Sequence, residues 1–225
     1  MSAVSLEWQD NLAILQLDDG AKNVINHEVL DELETAWAEV EEKAGAVVFA
    51  GRPGSFCAGY DLSVMVGDDP QAAGRLGQRG GRFAYTLYSS PVPSVAVSTG
   101  HAFTIGAVWL ACCDVRIGER GNFKYAMREV ALGVAFSRWP LAPLEDRLQR
   151  DAIVPALLHS ETYDPEGAQR AGFVDELAEP GAGIETGLAK AGALSELPRA
   201  AYHRTKLVMR QKALAEMAED LRIEG

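Results

Sequence analysis

Apolar and polar residues alternate at period two in Val4-Ser-Leu-Glu-Trp8 and again in Leu12-Ala-Ile-Leu-Gln-Leu17. Alternation of this kind puts one face of a strand on a core. The Gln9-Asp10-Asn11 turn between the two segments predicts a β-hairpin. The period then changes. Val29, Leu30, Leu33, Trp37 and Val40 recur at intervals of three and four, which predicts a helix with Asn26 as its N-cap. Gly45 ends it, and Ala46-Val-Val-Phe-Ala50 is a continuous apolar run of the kind a parallel strand buried on both faces requires. A second passage repeats the scheme. It reads as helix over much of Pro70 to Ser90, strand at Val95–Ser98, short helix from Gly106 to Cys112, and strand at Val115–Ile117. Strand and helix alternating at this spacing predict an α/β fold with parallel pairing.

From Pro143 onward the pattern is helical, with helices expected at Pro143–Leu148, Asp151–Leu158 and Pro165–Ala171. Ala178 to Gly183, which contains Pro180 and Gly181, reads as a linker. Pro198 to Leu221 reads as one long amphipathic helix with Leu207, Leu214 and Leu221 in register, and its apolar stripe is expected to pack on a neighbour. The division that follows is a core over residues 1–180 and a C-terminal helical, oligomerisation region over residues 181–225.

Charge and cysteine usage narrow the classes of function. The 225 residues carry 21 basic and 32 acidic side chains, a formal net charge of −11. Such a surface repels nucleic acid and anionic membrane, so a polyanionic ligand needs a local site of amides or a few cations. No apolar run approaches the ~20 residues that span a bilayer, and Met1 to Glu7 has no secretory pattern. Cys57, Cys112 and Cys113 have no zinc-like spacing and read as reduced, mostly buried thiols in a cytoplasmic protein. Neither a metal nor a resident cofactor is expected.

Two glycine-containing segments follow buried strands. They are Gly54-Ser-Phe-Cys-Ala-Gly59-Tyr60-Asp61-Leu62 and Gly100-His-Ala-Phe-Thr-Ile105-Gly106-Ala-Val108-Trp-Leu-Ala-Cys-Cys-Asp114. Each places glycine where a strand ends and a helix can begin, so amides without intrahelical partners can point outward. Two such amides converging on one point would form an oxyanion hole. Spacing alone is equally compatible with two ordinary strand-to-helix turns.

The residues themselves carry more. Phe56-Cys-Ala-Gly-Tyr-Asp-Leu62 resembles the F-S/C-A-G-x-D-L/I signature of the enoyl-CoA hydratase/isomerase (crotonase) superfamily, and Gly100 to Asp114 resembles its second signature. Asn23-Val-Ile-Asn26, Phe123 to Gly133 and Ala168 to Glu176 resemble three further family segments in the same order, so the likeness runs from Leu12 to Glu176. It implies a spiral of ββα turns, a helical C-terminal region that builds trimers or hexamers, and an acyl-CoA thioester as substrate. It also implies an oxyanion hole made by the backbone N–H groups of Tyr60 and Ile105. Ile105 stands where the family tends to have glycine, and a β-branched residue there restricts the backbone and fills space beside the thioester.

Family members differ in the side chains placed around the enolate. Where hydratases commonly have two glutamates, this sequence has Val108 at the first place and Glu129 at the second. A single base suffices to move a double bond from the β,γ to the α,β position. The Asn122 to Gly133 segment and Arg52 to Gly59 are similar to mitochondrial-type Δ3,Δ2-enoyl-CoA isomerases, in which the residue matching Glu129 is the sole base. Isomerisation is therefore the preferred reading. The alternatives are hydration or another crotonase reaction such as hydrolysis, and a non-catalytic CoA-thioester-binding or assembly subunit. The apolar neighbours Val130, Ala131, Leu132 and Val134 are expected to bury the Glu129 carboxyl and raise its pKa.

For the CoA moiety the resemblance implies Lys22, the backbone around Ala58, Gly59 and Tyr60, the adjoining Asp61 and Gly106, and Lys206 or Arg210 on the last helix, reaching a phosphate in this subunit or a neighbouring one. Asp61 is also placed to cap the following helix. His101 and Cys57 read as structural, Trp109 and Trp139 as core or pocket wall, and the Tyr60 ring as part of an acyl pocket.

Overall fold

The computed structural model describes residues 2–65, 67 and 69–223, with Pro70 described by its backbone alone. The hairpin forms from β1 (Val4–Gln9) and β2 (Leu12–Leu17), antiparallel with Leu6 opposite Leu15. β2 then starts a parallel series with β4 (Ala46–Ala50), β7 (Ser94–Ser98), β9 (Val115–Glu119) and β11 (Glu176–Ala178), giving a six-stranded sheet of order β1-β2-β4-β7-β9-β11. β2, β4, β7 and β9 are each followed by one or two shorter strands that leave the sheet. These are β3 (Val24–Ile25), β5 (Gly54–Cys57) with β6 (Gly59–Tyr60), β8 (Gly100–Phe103) and β10 (Tyr125–Ala126). They pair among themselves as β10-β8-β5 and β3-β6.

A helix closes each turn: α1 (His27–Lys43), then short α2 (Leu62–Met65) with α3 (Pro70–Ser89), then α4 (Ile105–Cys112), then α5 (Arg138–Arg147). The repeated unit is strand, short strand, helix, and the chain advances one sheet position per turn. That is the expected ββα spiral. Asn26 caps α1, its side chain accepting from the Val29 N–H at 2.9 Å, and Leu30, Leu33, Trp37 and Val40 face inward. An aromatic column of Trp37, Phe83, Trp109 and Phe49 joins α1, α3 and α4 to the sheet through edge-on and tilted contacts.

The C-terminal part departs from expectation in three places. Asp151–Leu158 forms a helical turn of the wide π type only at Val154–Leu158, and α6 follows at Pro165–Ala171. The expected linker is followed at once by α7 (Gly183–Ser195), which covers the outer face of the six-stranded sheet. The single long helix is two, α8 (Arg199–Met209) and α9 (Gln211–Leu221), broken at Arg210. α9 returns to pack on α3 and α5 of the same chain. There the Trp139 backbone N–H donates to the Asp220 carboxylate at 2.8 Å.

Candidate active site

The two glycine loops meet in the structure. Gly106, the second residue of α4, lies on Cys57, where a β-carbon at 106 would stand 2.6 Å from the Cys57 Cβ. Only glycine lets the helix come down that far. Gly59 has φ 108°, and a β-carbon on it would meet the Thr104 Oγ1 at 2.5 Å. The residues that follow these contact points, Tyr60 and Ile105, are thereby brought side by side.

The first loop is held from beneath by Asn23, which is fully buried at φ 58°. Its side-chain amide donates to the Leu17, Ser55 and Phe56 carbonyls. Ala58 donates its N–H to the Lys22 and Asn23 carbonyls at 3.1 and 3.2 Å, so only its carbonyl remains for a ligand. Gly59 donates to the Cys57 Sγ at 3.4 Å, and Asp61 donates to the Ile25 carbonyl at 2.9 Å. Donors alternate in direction along a strand, so the Tyr60 N–H between them points away from β3.

In the second loop Thr104 donates its N–H to the Ala126 carbonyl at 3.0 Å, and its carbonyl accepts the Val108 N–H at 3.1 Å. The first three amides of α4, on Ile105, Gly106 and Ala107, therefore have no intrahelical acceptor. The Gly106 backbone lies against the Cys57 side chain. The Ile105 side chain is 1% exposed and belongs to the core. The expectation that it fills space beside a thioester is thus corrected. The backbone strain falls one residue earlier, where Thr104 holds φ 48° and ψ −118°, a region that costs a β-branched residue about 1–3 kcal/mol.

Glu129 follows β10 by three residues and starts a 3-10 turn, Val130–Leu132, that closes at Gly133. The pairing of Thr104 with Ala126 brings this segment beside the N-terminus of α4. The residue as a whole is half-buried, but its Oε2 is shut off from solvent with no hydrogen-bond partner among the described residues. Burial raises its pKa to about 7, against a partial opposing pull from its own N–H and that of Arg128. The apolar neighbours are not the cause, contrary to expectation. Val130, Leu132 and Val134 are 40%, 61% and 47% exposed, pointing away while the carboxyl points in. The Tyr60 phenol shares the enclosed space. Burial raises its pKa first, and the charges of Cys57 and Glu129 add to the effect. Val108, one turn into α4, is 1% exposed and offers no second carboxylate.

The remaining candidates separate clearly. Asp61 caps α2, accepting from the Ser63 N–H at 2.8 Å. Cys57 is fully buried with its thiol pushed up to about 12 by burial, so it packs and does not react. His101 stacks on Phe103 and accepts the Lys124 N–H on Nδ1 at 3.0 Å. Trp109 is core, its indole N–H reaching the Gly80 carbonyl. Lys22 is exposed beside the first loop.

Lys206 and Arg210 are not brought to this site. Both are buried and bind the two carboxylate oxygens of Asp114, at 2.7 and 2.9 Å. They also donate to the Ser90, Tyr88 and Cys112 carbonyls. They neutralise the C-terminal end of α4, about 12 Å along the helix from Ile105. A cleft of about 650 Å³ opens beside them, lined also by Tyr88, Arg147, Tyr202 and Met209, and Glu129, Tyr60 and Ile105 are not among its lining residues. Thr104 is the residue that sequence reasoning passed over. The signal was a hydroxyl side chain at the head of the Thr104-Ile105-Gly106 run.

The profile described as enoyl-CoA hydratase/isomerase matches residues 7–224. The chain belongs to that family. Its fold is the crotonase fold, and its structure is similar to that of an enoyl-CoA isomerase from Mycobacterium tuberculosis. That similarity has a TM-score of 0.94 and 30% identity over 98% of this chain and 96% of that one. Among curated proteins it is 24% identical to human mitochondrial enoyl-CoA delta isomerase 1, over 92% of this chain and 70% of the relative. It is 25% identical to a probable enoyl-CoA hydratase of Rhizobium meliloti, over 97% of this chain and 85% of that one. Isomerases and hydratases of this family thus stand at equal distance by sequence. Within the described residues no helix is long and apolar enough to cross a membrane, and no cluster of residues could hold a metal ion.

Proposed function

We propose that the protein isomerises a 3-enoyl-CoA to the conjugated 2-enoyl-CoA with Glu129 as its single base. The Glu129 carboxylate removes a C2 proton. The C–H electron pair moves into the C1–C2 bond, and the thioester π pair moves onto oxygen. The Tyr60 and Ile105 amides stabilise that oxygen, being donors fixed before charge develops. The same carboxyl, now protonated, delivers its proton to C4 as the double bond shifts, and the enolate collapses. A base with a pKa of about 7 is suited to both halves, since it accepts and returns a proton with little bias at neutral pH.

The observation that carries this reading is the Glu129 Oε2, closed from solvent and unpartnered among the described residues, with Val108 in place of a second carboxylate. Water activation would want that second group. Lys22 is the cation placed to meet the CoA phosphates, and its exposure beside Ala58 supports this. No resident cofactor enters the reaction. The reading extends to a homotrimer, alone or paired as a hexamer, with the exposed Leu132, Val134, Val154 and Leu158 as apolar surface to cover. Sedimentation at three or six monomer masses is expected, and a single monomer mass at micromolar concentration would contradict it. The reaction itself is tested by supplying a 3-enoyl-CoA and a 2-enoyl-CoA separately. Conjugation of the first with little hydration of the second is expected, and efficient hydration of the second would favour the hydratase alternative.

A further inference from the structure

The Thr104 hydroxyl has no part in the steps above, yet it adjoins the residues whose amides serve them. Its Oγ1 is closed from solvent and has no hydrogen-bond partner among the described residues. It abuts Gly59, the residue before Tyr60, and belongs to the residue before Ile105. Both backbone groups of Thr104 are engaged, the N–H by Ala126 and the carbonyl by Val108. Only the side chain is unassigned.

Two unfavourable features coincide at this residue. A buried hydroxyl without an acceptor loses its hydration and gains nothing. A β-branched residue at φ 48° and ψ −118° occupies a region that glycine enters freely. Glycine would remove both. A polar group kept in such a position is explained by a partner that arrives with the ligand.

We infer that the Thr104 hydroxyl is a third donor to the thioester oxygen and a catalytic residue of this site. The inference rests on the enolate reading. A threonine hydroxyl carries one proton to donate, and this one lies against Gly59, next to Tyr60, on the residue that precedes Ile105, so it adjoins both amide donors of the proposed hole. The bond forms when substrate binds and strengthens as negative charge develops on that oxygen, so it contributes chiefly to turnover and little to affinity. The hydroxyl keeps its proton throughout.

Three variants separate the hydroxyl from the backbone. Thr104→Val keeps the branched shape and loses the donor, Thr104→Ser keeps the donor, and Thr104→Gly loses the donor while relaxing the backbone. For a 3-enoyl-CoA, Thr104→Val and Thr104→Gly are expected to lower kcat about 10- to 100-fold. Their KM should stay within about threefold, and Thr104→Ser should stay within about threefold of wild type in both. Thr104→Gly should melt at higher temperature than wild type while turning over more slowly, a pairing that a purely structural role does not produce. Wild-type kcat in either donor-less variant, or a loss confined to KM, overturns the inference. Should Thr104→Val fail to fold, Thr104→Gly decides alone. C2-proton exchange by the unaltered enzyme in D₂O is the control. If wild type exchanges and the variants match it, the inference alone falls. If wild type does not exchange, the enolate reading falls and takes the inference with it.

Discussion

In the proposed reaction Glu129 links chemistry to stability through one proton. Its folded-state pKa of about 7 lies above the usual 4.5 because burial disfavours the anion. Between these two values the folded chain holds a proton that the unfolded chain has released. Stability therefore falls as pH rises from about 4.5 to about 7 and levels off above. The whole loss approaches roughly 3 kcal/mol. Glutamine at this position cannot ionise, so the advantage of Glu129→Gln over wild type in urea unfolding should grow by that order between pH 5 and pH 8. An unchanged difference would remove the buried carboxyl from the account. The same ionisation should appear in the wild type as an acid limb of kcat/KM near pH 7. Glu129 and Val108 were legible in the sequence because side-chain identity is the signal there. The strain at Thr104 was not, because φ is set by how β8 enters α4 and not by any local pattern.

Among the elements, the long strands and α1 are as the periodicity predicts, since each buries a face that the sequence marks continuously. The two-residue strands β3, β6 and β10 carry too few positions for alternation to register. The C-terminal helices show a different limit. Lys206 and Arg210 read as surface cations able to meet a phosphate, on a helix running unbroken to Leu221. Their partner Asp114 lies far earlier in the chain, and the break at Arg210 aims its guanidinium at Asp114 and over the Tyr88 ring, 4.1 Å from its centroid. The periodicity of the tail is nearly the same with or without the break. This cluster ties α8 and α9 to the end of α4. Asp114→Asn leaves two buried cations without a counter-charge and is expected to destabilise the fold by about 3 kcal/mol or more. The kcat of the folded fraction should be unchanged, because the cluster lies at the far end of α4 from Ile105. A drop in kcat with stability retained would place the cluster in the active site after all.

At the scale of the molecule, the repeated strand, short strand and helix explain why the site lies where it does. Successive turns deliver their short strands to one side of the large sheet, and the first signature, the second signature and the Glu129 segment are the tips of three consecutive turns. The ββα spiral itself was legible only through resemblance, because periodicity gave an α/β fold with parallel pairing and no handle on the second, smaller sheets. α7 was missed because glycines at 183, 187 and 192 dilute its pattern, while Gly187 is what lets it approach Val97. The central claim is that these three tips generate an enolate with one base. The direct measurement is deuterium uptake from D₂O into C2 and C4 of a 3-enoyl-CoA and its product, comparing wild type with Glu129→Gln and titrating CoA-ester binding to both. The account predicts uptake by wild type, uptake lower by about 10²-fold or more in the variant, and binding of the ester by both with similar affinity. Wild-type uptake in Glu129→Gln would contradict it.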